Sequence, residues 1–139
     1  MVADCLVDTG ALLALLDPRD VWHGRCAAAF STLRFPLLTS IAVLTELFHL
    51  VGDGRHETET AWSFLESGAV VLGPIADHEL PAVQALMSRY ADRPMDFADA
   101  TLVYLARREA IHTIFTVDRS DFETYRIAGR RRFRIVPEP

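Results

Sequence analysis

Four carboxylates mark the places where this chain can do chemistry. Asp8 closes an apolar run in Leu6-Val7-Asp8-Thr9-Gly10, and Asp118 closes another in Thr113-Ile114-Phe115-Thr116-Val117-Asp118. Glu46 interrupts the apolar helical stretch Ile41 to Phe48, and Asp99 lies in Asp96-Phe97-Ala98-Asp99-Ala100-Thr101. A carboxylate at the edge of a core is costly to desolvate unless something neutralises it. Hard divalent cations neutralise such groups with oxygen ligands alone, so the set points to a metal site. Asp96, three residues before Asp99 on one helix face, and Asp121, three residues after Asp118, are further acids beside the set. Each acid also has a plainer reading. Asp8, Asp96, Asp118 and Asp121 suit caps and turns, Asp99 suits the first turn of a helix dipole, and Glu46 suits a wet rim. It is the combination, spread over four separate elements, that favours the metal.

The elements follow from apolar periodicity and breakers. Strands are expected at Val2–Val7, Phe35–Thr39, Ala69–Leu72, His112–Val117 and Phe133–Val136. Helices are expected at Thr9–Leu16, from an Asp20 cap to Leu33, from a Ser40 cap to Val51, at Thr58–Glu66, at Asp77–Tyr90 and at Asp96–Glu109, with a helical turn at Arg119–Tyr125. The first helix stops before Asp17-Pro18, because the residue before proline avoids the helical region. The long amphipathic helix ends before Arg93-Pro94 for the same reason. Strands alternating with helices imply βαβ units and a mostly parallel sheet. Open parallel sheets bind ligands beyond the carboxyl ends of their strands, and Asp8 and Asp118 both fall there. If those two strands are neighbours, the carboxylates share one edge.

Composition narrows the chemistry further. A chain of 139 residues, 50% hydrophobic and 24% charged, suits one domain over 1–139 with a real core. The formal charge of −5 gives no global field for a polyanion. All 14 basic side chains are Arg, which excludes a Schiff-base lysine and a phosphate-loop lysine. No C-x-x-C, G-x-S-x-G or glycine-rich phosphate loop occurs. Glu46-x-x-His49 is half of a di-iron ligand set without its second copy. Cys5 and Cys26 fit a reduced context, and the longest early apolar run, Ala11 to Leu16, is far short of the ~20 residues of a membrane span. A cytoplasmic protein with no membrane contact is expected. The acid-free segment with Arg126, Arg130, Arg131, Arg132 and Arg134 reads either as a charged sheet edge or as a phosphate-contacting patch centred on Arg130, Arg131 and Arg132. The region Ser40 to Glu66 holds Phe48, Leu50, Trp62, Phe64 and Leu65, enough apolar surface for a partner as well as a core.

The segments around Asp8-Thr9-Gly10, Leu44-Thr45-Glu46-Leu47, Ala98-Asp99-Ala100-Thr101-Leu102 and Phe115-Thr116-Val117-Asp118-Arg119-Ser120-Asp121-Phe122, in this order and spacing, resemble the PIN-domain nucleases. Within them the chain looks most like the VapC-type toxins of type II toxin–antitoxin pairs, over essentially its whole length. The resemblance implies a three-layer α/β/α fold around a central, mostly parallel sheet. It implies Mg²⁺- or Mn²⁺-dependent cleavage of RNA and a small cognate antitoxin; the apolar Ser40–Glu66 region offers either a groove for that antitoxin or a homodimer face. By motif it puts Asp8, Glu46, Asp99 and Asp118 in the acidic site, with Asp8, Asp99 and Asp118 on the metal and Glu46 acting through water. Thr9 and Thr116 match polar positions beside them, and Asp96 and Asp121 are supporting acids. Gly10 stands where Ser or Asn is also frequent. A non-catalytic RNA- or protein-binding domain of the same fold is the alternative. A phosphatase on a similar fold calls for an Asp at position 10 and a Lys, and this chain has neither.

Overall fold

The computed structural model describes residues 3–93 and 95–139. Val2, expected to begin the first strand, and Pro94, expected to stop a helix, lie outside these. The elements in order are β1 (Cys5–Val7), α1 (Thr9–Leu16), α2 (His23–Phe30), β2 (Leu37–Thr39), α3 (Ile41–Val51), α4 (Arg55–Glu66), β3 (Val70–Leu72), a 3₁₀ turn (Asp77–Glu79), α5 (Leu80–Arg89), α6 (Phe97–Glu109), β4 (Thr113–Phe115), α7 (Arg119–Thr124) and β5 (Arg134–Val136).

The five strands form one sheet in the order β3-β2-β1-β4-β5, every pair parallel. β1 is central and pairs with β4 in the register Cys5–Thr113, Leu6–Ile114 and Val7–Phe115. The chain first winds outward from β1 through β2 to β3, then crosses back to lay down β4 and β5 on the other side of β1. This reversal puts a topological switch point between β1 and β4, where open parallel sheets form their ligand crevice. Right-handed crossovers in this order set α1–α4 on one face and α5–α7 on the other. The packing follows: α1 lies against α2, α3 and α4, and α5 lies against α6. This is the three-layer α/β/α architecture.

Local chemistry explains most boundaries. Ser40 caps α3, its Oγ accepting from the Val43 N–H at 3.2 Å, and Gly52 ends it at φ 80°, a conformation glycine adopts without strain. α6 is the most buried helix, with Ala98 to Val103 and Leu105–Ala106 all inside. Buried Ser40 and Thr101 hydroxyls meet at 2.8 Å where α3 touches α6.

Several expected boundaries move. α2 runs only from His23 to Phe30, because Asp20 caps a turn through the Trp22 N–H at 2.8 Å instead of starting the helix. α4 begins three residues early, at Arg55 rather than Thr58, after Gly54. The helix expected from Asp77 opens as a 3₁₀ turn, with Pro81 in the first turn of α5. The strand expected at His112–Val117 ends at Phe115, so Asp118 lies three residues past the strand, at the start of α7. Both cysteines are free and buried, and burial pushes the Cys5 thiol up to about 12. No described helix is long and apolar enough to cross a membrane.

Candidate metal centre

The switch point between β1 and β4 brings Asp8 and the residues after Phe115 together. The ladder continues past the strand ends, with the Asp8 N–H donating to the Phe115 carbonyl at 3.0 Å and the Thr116 N–H to that of Val136 at 2.9 Å. Asp8 then starts α1. Its Oδ1 accepts from the Thr9 N–H at 2.7 Å and its Oδ2 from the Thr116 hydroxyl at 3.0 Å. Thr116, fully buried, also accepts from the Asp118 N–H at 2.9 Å, so one hydroxyl fixes both acid-bearing segments. A Cβ on Gly10 would lie 2.7 Å from Val117 Cγ2. The absence of a side chain at position 10 lets α1 start hard against the loop that carries Asp118.

α6 supplies the third acid. Asp96 caps the helix, its Oδ1 accepting from the Asp99 N–H at 2.8 Å. Asp99 is turned inward, and its Oδ2 accepts from the Tyr125 hydroxyl at 2.9 Å. Asp8 and Asp99 are only 6% and 8% exposed, whereas Asp96 and Asp118 face solvent.

The electrostatics tie these groups together. Burial raises Asp8 to about 6 against the bonds from Thr9 and Thr116, and the charges of Glu46 and Asp96 add to the rise. Burial and the neighbouring Asp8 and Asp96 raise Asp99 to about 8, opposed by the Tyr125 bond. Asp118 also stands above the ordinary carboxylate range. Its partial burial contributes most even though it is the most exposed of the three, and Asp121 and Asp8 contribute next. The charge of Asp8 thus raises both Asp99 and Asp118, and Asp96 contributes to all three. Glu46 is half-buried and shares a cleft with His49 and Asp96 beside the cluster. Asp121 is paired with Arg93 at 3.3 Å.

The fold thus brings Asp8, Asp99, Asp118, Glu46, Asp96 and Asp121 into one charged neighbourhood, but not onto one point. Among the described residues no three His, Cys, Asp or Glu groups stand at ligand spacing around a common centre. Like charges keep apart, and hydroxyls hold one oxygen each of Asp8 and Asp99. The donor set still fits a hard cation. It consists of oxygen atoms only, its acids are held at raised proton affinity by burial and by neighbouring carboxylates, and the buried Thr9 hydroxyl next to Asp8 has no hydrogen-bond partner.

The arginines are placed elsewhere. Arg131 reaches His112, at the amino end of β4, with Nη1 2.9 Å from Nδ1. The segment before β5 therefore lies at the opposite edge of the sheet from Asp8 and Asp118. Because parallel strands all start at one edge, the connection entering β5 cannot lie beside the end of β4. Tyr125 is the site residue that sequence reasoning missed. The available signal was Phe122 and Tyr125 three residues apart on one helix face, a spacing that buries both, and a buried Tyr O–H needs a partner.

A family model described as the PIN domain matches residues 5–128. The chain is 31% identical over 134 residues to ribonuclease VapC26 of Mycobacterium tuberculosis (strain ATCC 25618 / H37Rv), covering 95% of this chain and 99% of that one. In three dimensions it is similar to M. tuberculosis VapC20, whose crystal structure is described as that of a Sarcin-Ricin loop cleaving toxin. The TM-score is 0.74 with 24% identity, over 84% of this chain and 93% of the other, a likeness that bears on the fold. PIN-domain ribonucleases of this kind generally depend on divalent metal. Family match, near full-length identity and sheet order agree: the chain belongs to the PIN-domain family, among the VapC ribonucleases.

Proposed function

We propose that this chain is a single-domain cytoplasmic toxin of a toxin–antitoxin pair, a Mg²⁺- or Mn²⁺-dependent endoribonuclease that hydrolyses RNA phosphodiesters at the Asp8–Asp99–Asp118 edge. The observation that carries the reading is the convergence of buried Asp8, buried Asp99 and Asp118 at the β1–β4 switch point, where the charge of Asp8 raises both of the others. Asp8, Asp99 and Asp118 would hold the cation through oxygen. A bound Mg²⁺ supplies a more acidic water and offsets charge on the phosphodiester. Glu46, beside them, accepts a proton from water or orients it. Thr116 keeps the Asp8 carboxylate and the Asp118 backbone in fixed relation, and Asp96 and Asp121 add negative potential that favours a cation. The unclosed spacing of the carboxylates is what a non-catalytic RNA- or protein-binding domain would also show. Cleavage of RNA with Mg²⁺ or Mn²⁺ separates the two: full activity in EDTA removes the metal assignment, and no activity with either ion leaves the binding role.

Two partner surfaces accompany this reading. A groove of about 560 Å³, lined by Leu13, Leu16, Leu50, Val51 and His56 among others, lies between α1 and the α3–α4 pair. Leu50 at its edge is 54% exposed, and Trp62 on α4, 51% exposed, stacks on Phe48 at 4.9 Å. We assign this apolar stretch to the antitoxin or to a second copy of the chain. A monomer at micromolar concentration in sedimentation counts against the homodimer. The arginine segment, distant from the acids, can serve RNA only away from the scissile bond. Reversing Arg130 and Arg132 to Glu is expected to weaken RNA binding and to flatten its salt dependence by about one unit of slope per lost phosphate contact. Unchanged affinity and slope assign these residues to guarding the sheet edge.

A further inference from the structure

We propose that Tyr125 is a positioning residue for the metal, holding the Asp99 carboxylate in its ligating orientation; the inference rests on the metal reading above. Tyr125 ends α7, the short helix that begins beside Asp118. Its side chain is completely buried. Its ring is gripped edge-on by Tyr90 and Phe122, with centroids 5.1 and 5.3 Å away. A ring clamped on both sides has one place to aim its O–H, and that place is Asp99 Oδ2 at 2.9 Å.

The torsion that turns a carboxylate about its own axis is broad and weakly restrained. Asp99 sits in the first turn of α6 with only its backbone tied, through Asp96. The Tyr125 hydroxyl supplies the missing restraint. By occupying Oδ2 it fixes the plane of the carboxylate and leaves Oδ1 for a cation. Because Asp118 and Tyr125 flank α7, the same six-residue helix sets two of the three acids, one through the chain and one through a hydrogen bond. Groups that orient metal ligands in this way are worth roughly 10- to 100-fold in metal affinity.

The test is Mn²⁺ binding followed by electron paramagnetic resonance, on the full chain and on Tyr125→Phe and Tyr90→Phe. Tyr125→Phe keeps the ring and loses only the hydroxyl. Tyr90→Phe keeps the same aromatic contact and loses a hydrogen bond, from the Arg126 N–H, that touches no carboxylate. The expected result is affinity about 10-fold weaker in Tyr125→Phe and within about twofold of wild type in Tyr90→Phe. Melting in EDTA and in Mn²⁺ gives the same comparison as the metal-induced rise in midpoint, which is expected to shrink only in Tyr125→Phe. Equal affinity in Tyr125→Phe and wild type, or equal losses in both variants, overturns the proposal. Wild-type protein that binds no Mn²⁺ overturns the metal reading itself. Should Tyr125→Phe fail to fold, the unmutated chain labelled with 3-fluorotyrosine decides. At least one of its three tyrosine ¹⁹F resonances must move on Mg²⁺ titration, and no movement overturns the proposal.

Discussion

Asp99→Asn yields a protein that is at least as stable as wild type without metal, yet cleaves RNA on the order of 10²–10³-fold more slowly, the scale of losing one group that stabilises charge in the transition state. The two effects have one cause. Asp99 is buried among Asp8, Asp96 and Asp121, and its proton affinity is raised to about 8 by burial and their charge. A neutral amide of the same shape removes that repulsion. It also keeps the structural bond, because the Asn carbonyl can accept from the Tyr125 hydroxyl as Oδ2 does at 2.9 Å. What it removes is the anionic oxygen a hard cation requires. Asp8→Asn loses activity to a similar degree but gains less stability. Both Asp8 oxygens accept hydrogen bonds, from Thr9 and Thr116, and an amide can accept on one side only. Its NH₂ must then find an acceptor in a Thr116 hydroxyl already receiving the Asp118 N–H. The checks are initial cleavage rates in Mg²⁺ and melting curves in EDTA. An Asp99→Asn protein that cleaves at the wild-type rate, or melts well below wild type in EDTA, breaks the link between strain and function.

Metal-free protein is expected to lose stability as pH rises from about 4 to 8, and added Mg²⁺ to restore it mainly at the upper end. The sign follows from the acids. Asp8 and Asp99 are raised from 3.8 to about 6 and about 8 in the folded chain. Between the ordinary carboxylate range and those values the folded state holds more protons than the unfolded one, so stability falls with pH. The contribution is complete below about pH 4 and gone once pH passes the folded-state values. A tenfold difference in proton affinity between the two states corresponds to about 1.4 kcal/mol. Because the groups interact, their net effect is on the order of a few kcal/mol, or roughly 3–5 °C of melting temperature per kcal/mol in a chain of this size. A divalent cation binds the deprotonated carboxylates and so stabilises where protons no longer do. Activity should fall at low pH for the same reason, as protons compete for the ligand oxygens. Thermal melts from pH 5 to 8, with and without Mg²⁺, test both signs. A metal-free melting temperature that climbs with pH, or an Asp99→Asn profile as steep as wild type, would falsify the account.

Much of the fold was legible because the signals were local. The β-branched and apolar runs before Asp8 and Asp118 placed β1 and β4, and Ser40 and Asp96 as caps placed the starts of α3 and α6. Boundaries failed where the cue was weak or ambiguous. Gly54 gives no side-chain cap, which hid the early start of α4, and Asp20 could cap a turn as well as a helix. The acid set was legible as residues but not as geometry. Chain order cannot say that β1 and β4 are neighbours; the five-strand order does. It also cannot say that a tyrosine 26 positions from Asp99 will reach it, since such a pairing exists only once α5, α6 and α7 are packed. The position of the arginines could have been read from topology alone, because any segment entering a parallel strand lies at the edge away from the strand ends.

The buried thiol of Cys5 gives the central strand an internal clock. It lies in β1, three residues before Asp8, only 3% exposed and with its acidity suppressed to about 12. Thiol reagents need the thiolate and access to it, and Cys5 offers neither while β1 remains between β2 and β4. Its labelling rate therefore counts openings of the same strand that delivers Asp8, on the timescale of local unfolding rather than of catalysis. A ligand gripping the acids from above should slow that clock without touching the sulfur.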